Sequence, residues 1–182
     1  SMVQKMKLAY IGGGSTELTS IKGGFDLAKT SIPQGSLSSF ANYVAGLMPT
    51  QKEVNAIAQA FRELAKKEET DVYHCTQLYG IGGSIRSAAK LYGDLCNNGN
   101  RFNYLLPEHI DAILNRYAED TNAFAHEALR TLPDRIHTLI PGCVIIREAF
   151  KLCDGERLDI CKYGVREGYL AERVLVKPVS FA

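Results

Sequence analysis

The sequence predicts an α/β domain: a mixed sheet that opens with three antiparallel strands and is flanked by helices. Three observations predict it. Short extended runs at residues 6–11, 18–21 and 25–32 are separated only by glycine turns, Gly12-Gly13-Gly14 and Gly23-Gly24, which suits consecutive hairpins. Thr50 with Glu53 three residues later forms a capping box ahead of an apolar face at helical spacing. Finally, an apolar run over residues 72–81 closes on Gly82-Gly83 and passes directly into a helical pattern, the strand-to-helix step of a layered α/β fold.

In order along the chain, Pro33, Gln34 and Gly35 end the three strands, and Ser36 is placed to cap a helix carrying Leu37, Phe40, Val44 and Leu47. The next helix presents Val54, Ile57, Ala58, Phe61, Leu64 and Ala65 on one face and ends in the charged run from Lys66 to Glu69, a solvated helix end. After the strand at 72–81, Ser84 opens a helix through Ile85, Ala88, Ala89 and Leu91. Residues 97–103 read as a polar loop. Pro107 starts a helical region reaching about Ala149, broken near Asp120, Pro133 and Pro141. A strand at 157–163 and a helix at 165–176 complete the expectation of a single domain over residues 3–178.

Composition excludes several function classes. With 182 residues, 46% apolar and 23% charged, the chain can bury one good core. Lysine and arginine total 21 against 20 acidic residues, so no basic field gathers nucleic acid, and the tyrosines do not interleave with a basic stripe. No run approaches the roughly 20 apolar residues that span a bilayer, and the N-terminus has no signal-peptide layout, so no membrane partner and a cytoplasmic location are expected. Five cysteines without a C-x-x-C pair point to reduced thiols rather than a disulfide framework or zinc site. His74, His109, His126 and His137 show no metal-ligand spacing. The first strand is expected almost immediately after Ser1-Met2, a start at which a preceding domain could have ended.

Chemistry concentrates at the glycine turns. Gly12, Gly13 and Gly14, followed by Ser15 and Thr16, present successive unobstructed N–H groups and two hydroxyls, which suit phosphate oxygens. The run lacks the lysine of a Walker A loop and the spacing of a dinucleotide fingerprint, and by itself such a run is more often only a tight turn. Glu17 is informative because a carboxylate beside an anion is repelled unless it orients water, takes a proton or holds a cation. Gly82, Gly83 and Ser84 form a second, similar strand end, so both turns are expected to face one ligand. Arg86 follows at a helix start, where anions bind readily but a surface salt bridge is an equal reading.

The run from Tyr10 to Glu17 resembles the Asp-Ile-Gly-Gly-Gly-Ser-x-Glu motif of the exopolyphosphatase and guanosine pentaphosphate phosphohydrolase family. Tyr79 to Arg86 resembles its second glycine motif, Arg135 and Pro141-Gly142 fall in its following helical segment, and Gly164-Val165-Arg166-Glu167-Gly168 resembles its late Gly-x-Arg-Glu-Gly signature. The four elements occur in order across nearly the whole chain. The resemblance implies an actin-like, ribonuclease-H-like fold and a phosphate chain hydrolysed in a cleft between two such domains with magnesium or another divalent cation. It makes this chain the second domain, with the first absent, and is compatible with a homodimer of the full-length form through regions outside this chain.

On this reading Gly12, Gly13, Gly14, Ser15, Thr16, Gly82, Gly83, Ser84 and Arg166 bind phosphate and Glu17 is catalytic. Three departures lower the charge available. Tyr10 stands where the family has a metal-binding aspartate, Ser38 where it has arginine, and His137 where an acidic residue is common. They leave open a non-catalytic polyphosphate or alarmone sensor beside the hydrolase. A sugar-kinase or actin-like ATPase fragment would share the glycine turns but not the late signature.

Overall fold

The computed structural model describes residues 5–22, 25–68 and 75–161, without the side chains of 5, 6, 22 and 25–27. The turn at Gly23-Gly24, the start of the strand expected from residue 72, His74, the late signature with Arg166 and the helix at 165–176 lie outside the described residues.

Three strands, β1 (Lys5–Ile11), β2 (Thr16–Lys22) and β3 (Phe25–Ile32), form an antiparallel meander with the bounds of β3 as expected. Helices α1 (Ser36–Tyr43) and α2 (Gln51–Lys67) lead to β4 (Gln77–Ile81), which pairs parallel to β1. Helix α3 (Gly83–Cys96), the short strand β5 (Tyr104–Leu105), and helices α4 (Pro107–Glu119) and α5 (Thr121–Thr131) follow. A 3-10 turn at Pro133–Arg135, helix α6 (Ile136–Cys153) and β6 (Arg157–Ile160), parallel to β4, complete a six-stranded sheet ordered β3-β2-β1-β4-β6-β5.

The two-residue period of a strand sends alternate side chains to opposite faces. Ala9, Ile11, Thr16, Leu18, Ile32, Leu78 and Leu158 occupy one face, all buried, and the apolar ones among them share a core cluster with the helices. On the other face Tyr10 lies across from Glu17, and Glu17 across from Ser31. The capping box of α2 forms as expected: the Thr50 hydroxyl accepts from the Glu53 N–H, and the Glu53 carboxylate accepts from the Thr50 N–H.

Four local expectations are corrected. Pro141 does not break a helix; it lies buried within α6. That helix packs against α1, α2, α3 and α4, and burial on so many sides outweighs the backbone bond that proline deletes. Ser36 is not the cap of α1. Gly35 is, with its N–H donated to the Ser38 hydroxyl at 2.9 Å. The expected apolar stripe of α1 is not its buried face either: Leu37 and Leu47 are exposed, while Ser36 and Ser39 are buried. The helix turns its hydroxyls inward because Gln34, also buried, donates to Ser39 Oγ there. Lastly, β5 falls just after the expected loop, and β6 ends at Ile160 rather than at 163.

All five cysteines are free thiols. Burial pushes Cys143 up to about 12 and Cys153 up to about 11, so neither carries thiolate reactivity near neutral pH. Among the described residues no helix is long and apolar enough to cross a membrane.

Candidate functional site

The two glycine turns meet. A cleft of about 350 Å³ is lined by Tyr10, Gly12 and Gly13 from the first turn, Gly83, Ser84 and Arg86 from the second, Ser36 and Leu37 from α1, and Asp134, Arg135 and Thr138 ahead of and within α6. Parallel pairing of β1 with β4 places both strand ends on the same edge of the sheet, where the following turns must converge. Ligands bind at such carboxyl ends of strands in open α/β sheets.

The first turn holds α1 against the sheet. The carbonyl oxygens of Gly12 and Gly13 accept from the N–H groups of Ser36 and Ser38 at 3.0 and 2.9 Å, so the start of α1 is satisfied by the loop. A Cβ at Gly35 would lie 2.4 Å from the Gly12 oxygen; only glycine allows that approach. With its carbonyls turned toward α1, the turn leaves the N–H groups of Gly13 and Gly14 without an acceptor among the described residues.

The second turn leaves a helix start open. Gly82 sits at φ 121° and ψ 163°, a region only glycine occupies at low cost, and α3 begins at the next residue. Its first N–H groups carry the positive end of the helix dipole. The Arg135 guanidinium lies over this start, 2.8 Å from where a Gly83 Cβ would be. Neither Arg86 nor Arg135 has a carboxylate partner among the described residues. The Arg135 guanidinium over an open helix N-terminus, with Arg86 lining the same cleft, suits a multiply charged oxyanion.

Of the residues singled out in the sequence, Gly12, Gly13, Gly83, Ser84 and Tyr10 line the cleft, while Gly14 borders open space. Thr16 is turned away: it is fully buried and its hydroxyl donates to the Gln34 carbonyl at 2.8 Å. Gly82 is buried beneath the turn and acts through its backbone shape. Ser15 donates to Glu17 Oε1 at 3.1 Å, as does Ser31 at 2.8 Å, with Lys29 Nζ 4.0 Å from the other oxygen. Glu17 is thus pinned on the sheet face it shares with Tyr10. Sequence reasoning did not place Ser36, Leu37 or Thr138 in the site. It named Arg135 only as part of a helical segment, although a basic residue just before a helix that ends up central was the available signal.

A model of the Ppx/GppA phosphatase family matches residues 5–177. The chain belongs to that family. Its structure is similar to the family member from Aquifex aeolicus (TM-score 0.74, 23% identity, covering 94% of this chain and 56% of that one). It is also similar to an exopolyphosphatase from Cytophaga hutchinsonii (TM-score 0.74, 17% identity, 93% and 56%) and to an exopolyphosphatase-like protein (TM-score 0.76, 17% identity, 93% and 58%). No curated protein matches the chain. These likenesses establish the actin-like ATPase fold expected from the sequence. The chain spans little more than half the length of the structures it matches.

The family resemblance implies a divalent cation, and the donor set among the described residues does not fit one. Among the described residues no three His, Cys, Asp or Glu side chains gather as ligands. Asp134, the carboxylate of the cleft lining, shares it with two guanidiniums, and hard divalent cations require several oxygen ligands of their own. Tyr10 fills the family's aspartate position with a ring whose edge and hydroxyl lie 3.1 to 3.3 Å from where a Gly12 Cβ would be. Ser38 is occupied in capping Gly35, and His137 packs edge-on against Phe40 with ring centroids 4.9 Å apart; neither adds a cation ligand.

Proposed function

We propose that this chain is the second half of a phosphoanhydride hydrolase that releases terminal phosphate from inorganic polyphosphate or guanosine pentaphosphate, its cleft completed by a first domain that the chain does not contain. The observation that supports it is the convergence of Gly13, whose N–H has no acceptor among the described residues, the open start of α3, Arg86 and Arg135 on one cleft. Membership of a phosphatase family and coverage of 56 to 58% of the matched structures point the same way.

In this reading water attacks the terminal phosphorus, the bond to the bridging oxygen breaks, and inorganic phosphate leaves a chain one unit shorter. Backbone donors of the first turn and of α3 hold the non-bridging oxygens, and the guanidiniums offset the charge that spreads over them in the transition state. Glu17, held by Ser15 and Ser31, orients the water. The proton acceptor and any cation ligands belong to the complementary half. The test is phosphate release from both substrates by a protein carrying both halves, with this chain assayed beside it across several divalent cations. We expect turnover only with both halves present; no release by the complete protein under any cation would sink the hydrolase reading.

Tyr10 favours a second reading. Its phenol stands in the cleft where the family has a carboxylate, and among the described residues no cation ligands gather, which favours a polyphosphate or alarmone sensor. Binding without release by the complete protein, with cation dependence gained on Tyr10→Asp, would select the sensor.

A further inference from the structure

Tyr10 is the penultimate residue of β1, and strand alternation turns it away from the core face that Ala9 and Ile11 occupy. Its half-buried side chain lines the same cleft as Gly13, Ser84, Arg86 and Arg135. The phenol oxygen lies 3.2 Å from where a Gly12 Cβ would be, so the hydroxyl is carried forward over the first glycine turn. Among the described residues it makes no hydrogen bond.

Most other hydroxyls around the cleft are already used. Ser15 donates to Glu17, Ser36 to the Gly12 carbonyl and Thr138 to the Arg135 carbonyl. Tyr10 also has a carboxylate beside it. Glu17 is its cross-strand partner on the same sheet face, and the Cβ atoms of such a pair stand about 5 Å apart. Glu17 Oε1 accepts from Ser15 and Ser31. Its Oε2 lies 4.0 Å from Lys29 Nζ, beyond a direct hydrogen bond, and retains lone pairs that can take a proton.

We infer that Tyr10 accepts the terminal phosphoryl group of the phosphate chain held in the cleft, so that the protein phosphorylates itself there. The bond from the phenol oxygen to phosphorus forms and the bond from phosphorus to the bridging oxygen breaks. The bridging electron pair leaves with the shortened chain, and the phenolic proton passes to Glu17 Oε2. A loose phosphoryl transfer asks more for placement of the acceptor than for nucleophilic strength, which suits a phenol fixed at the turn. The product is an aryl phosphate ester facing the start of α3 and Arg135, and a phosphate opposite an arginine at a helix N-terminus is well held. The modified protein carries its own anion in the cleft and excludes a second. The inference rests on the phosphate reading of the cleft and gives that site a means of shutting itself.

The test incubates the protein carrying both halves with inorganic tripolyphosphate and a divalent cation, quenches in acid, and sequences the tryptic peptide spanning residues 8–22 by mass spectrometry. One phosphoryl group per chain is expected, located on Tyr10 and resistant to alkali that strips a serine ester or an acyl phosphate of Glu17. Calorimetry should show the modified protein binding tripolyphosphate at least about tenfold more weakly than the unmodified. Tyr10→Phe should take up no phosphoryl group, and Glu17→Gln should take it up on the order of a hundredfold more slowly. Tripolyphosphate that binds, with or without phosphate release, and leaves Tyr10 unmodified would overturn the transfer while leaving the cleft standing. A phosphoryl group found on Ser84 instead would do the same. No binding of tripolyphosphate would overturn both readings.

Discussion

The turns at Gly12 and Gly82 both follow an isoleucine and begin with two glycines, yet they use glycine for opposite purposes. The first spends its carbonyls on capping α1 and leaves the N–H groups of Gly13 and Gly14 without an acceptor among the described residues. The second hides Gly82 at positive φ against β1, a Cβ there lying 2.6 Å from the Ile11 oxygen, so that α3 can start abruptly beneath Arg135. The same dipeptide thus serves exposure in one turn and close packing in the other. What separates them is the element that follows: a strand returning along the sheet leaves a loop outside, whereas a helix starting at once must be wedged in.

If that contrast is correct, Gly82→Ala is the most damaging single change. It combines a Gly-only backbone conformation with a backbone clash, a loss on the order of 3 kcal/mol or more. Chemical denaturation should show a lowered midpoint or no folded baseline, and a near-native midpoint would mean that the turn is not wedged. Gly35→Ala comes next. Its backbone is extended, so no conformational penalty arises, but the added Cβ would meet the backbone of Gly12 and Gly13 at 2.4 to 2.5 Å, and backbone is not easily displaced. A cost of about 2 kcal/mol is expected, with weakened phosphate binding because the first turn must move.

Much of this architecture was legible in the sequence because the local signals agreed with the global fold. The meander, the capping box at Thr50 and Glu53 and the strand-to-helix step at Gly82-Gly83 are set by neighbouring residues. Thr16 shows how a readable signal can be misweighed. Its hydroxyl invites a phosphate role, but the two-residue period places it on the same face as Leu18 and opposite Glu17, and the structure buries it. Pro141 and the serine face of α1 were not legible, since both depend on what surrounds them. Gly142 admits Ser84 and Ser36, whose Cβ atoms lie 3.3 and 3.7 Å from its own Cβ position, a crossing that no local window reveals. Arg86 and Arg135 meet at the cleft only after the chain has passed through α4 and α5.

Gly83→Ala separates binding from stability in the second turn. The nearest atoms to the new methyl would be the flexible end of Arg135, at 2.8 Å, and alanine is the better helix former by about 1 kcal/mol in a helix interior. The melting temperature should hold or rise slightly while the guanidinium is displaced from the start of α3. One lost charge-assisted contact corresponds to about a tenfold weaker affinity for tripolyphosphate. Unchanged affinity would show that Arg135 does not act on the anion from that position.

The smallest effect is expected at Gly14, and it sharpens the contrast most directly. Nothing lies within 4 Å of its Cβ position, and its φ is not in the left-handed range. Gly14→Ala should therefore leave stability within about 0.5 kcal/mol or raise it slightly by narrowing the unfolded ensemble. If the outward N–H groups of the first turn grip a phosphate, the methyl still costs a few-fold in tripolyphosphate affinity, because it stands beside the donors rather than inside the fold. A variant that folds as well and binds as well would place the grip wholly at α3 and its arginines, and would reduce the first turn to a cap for α1.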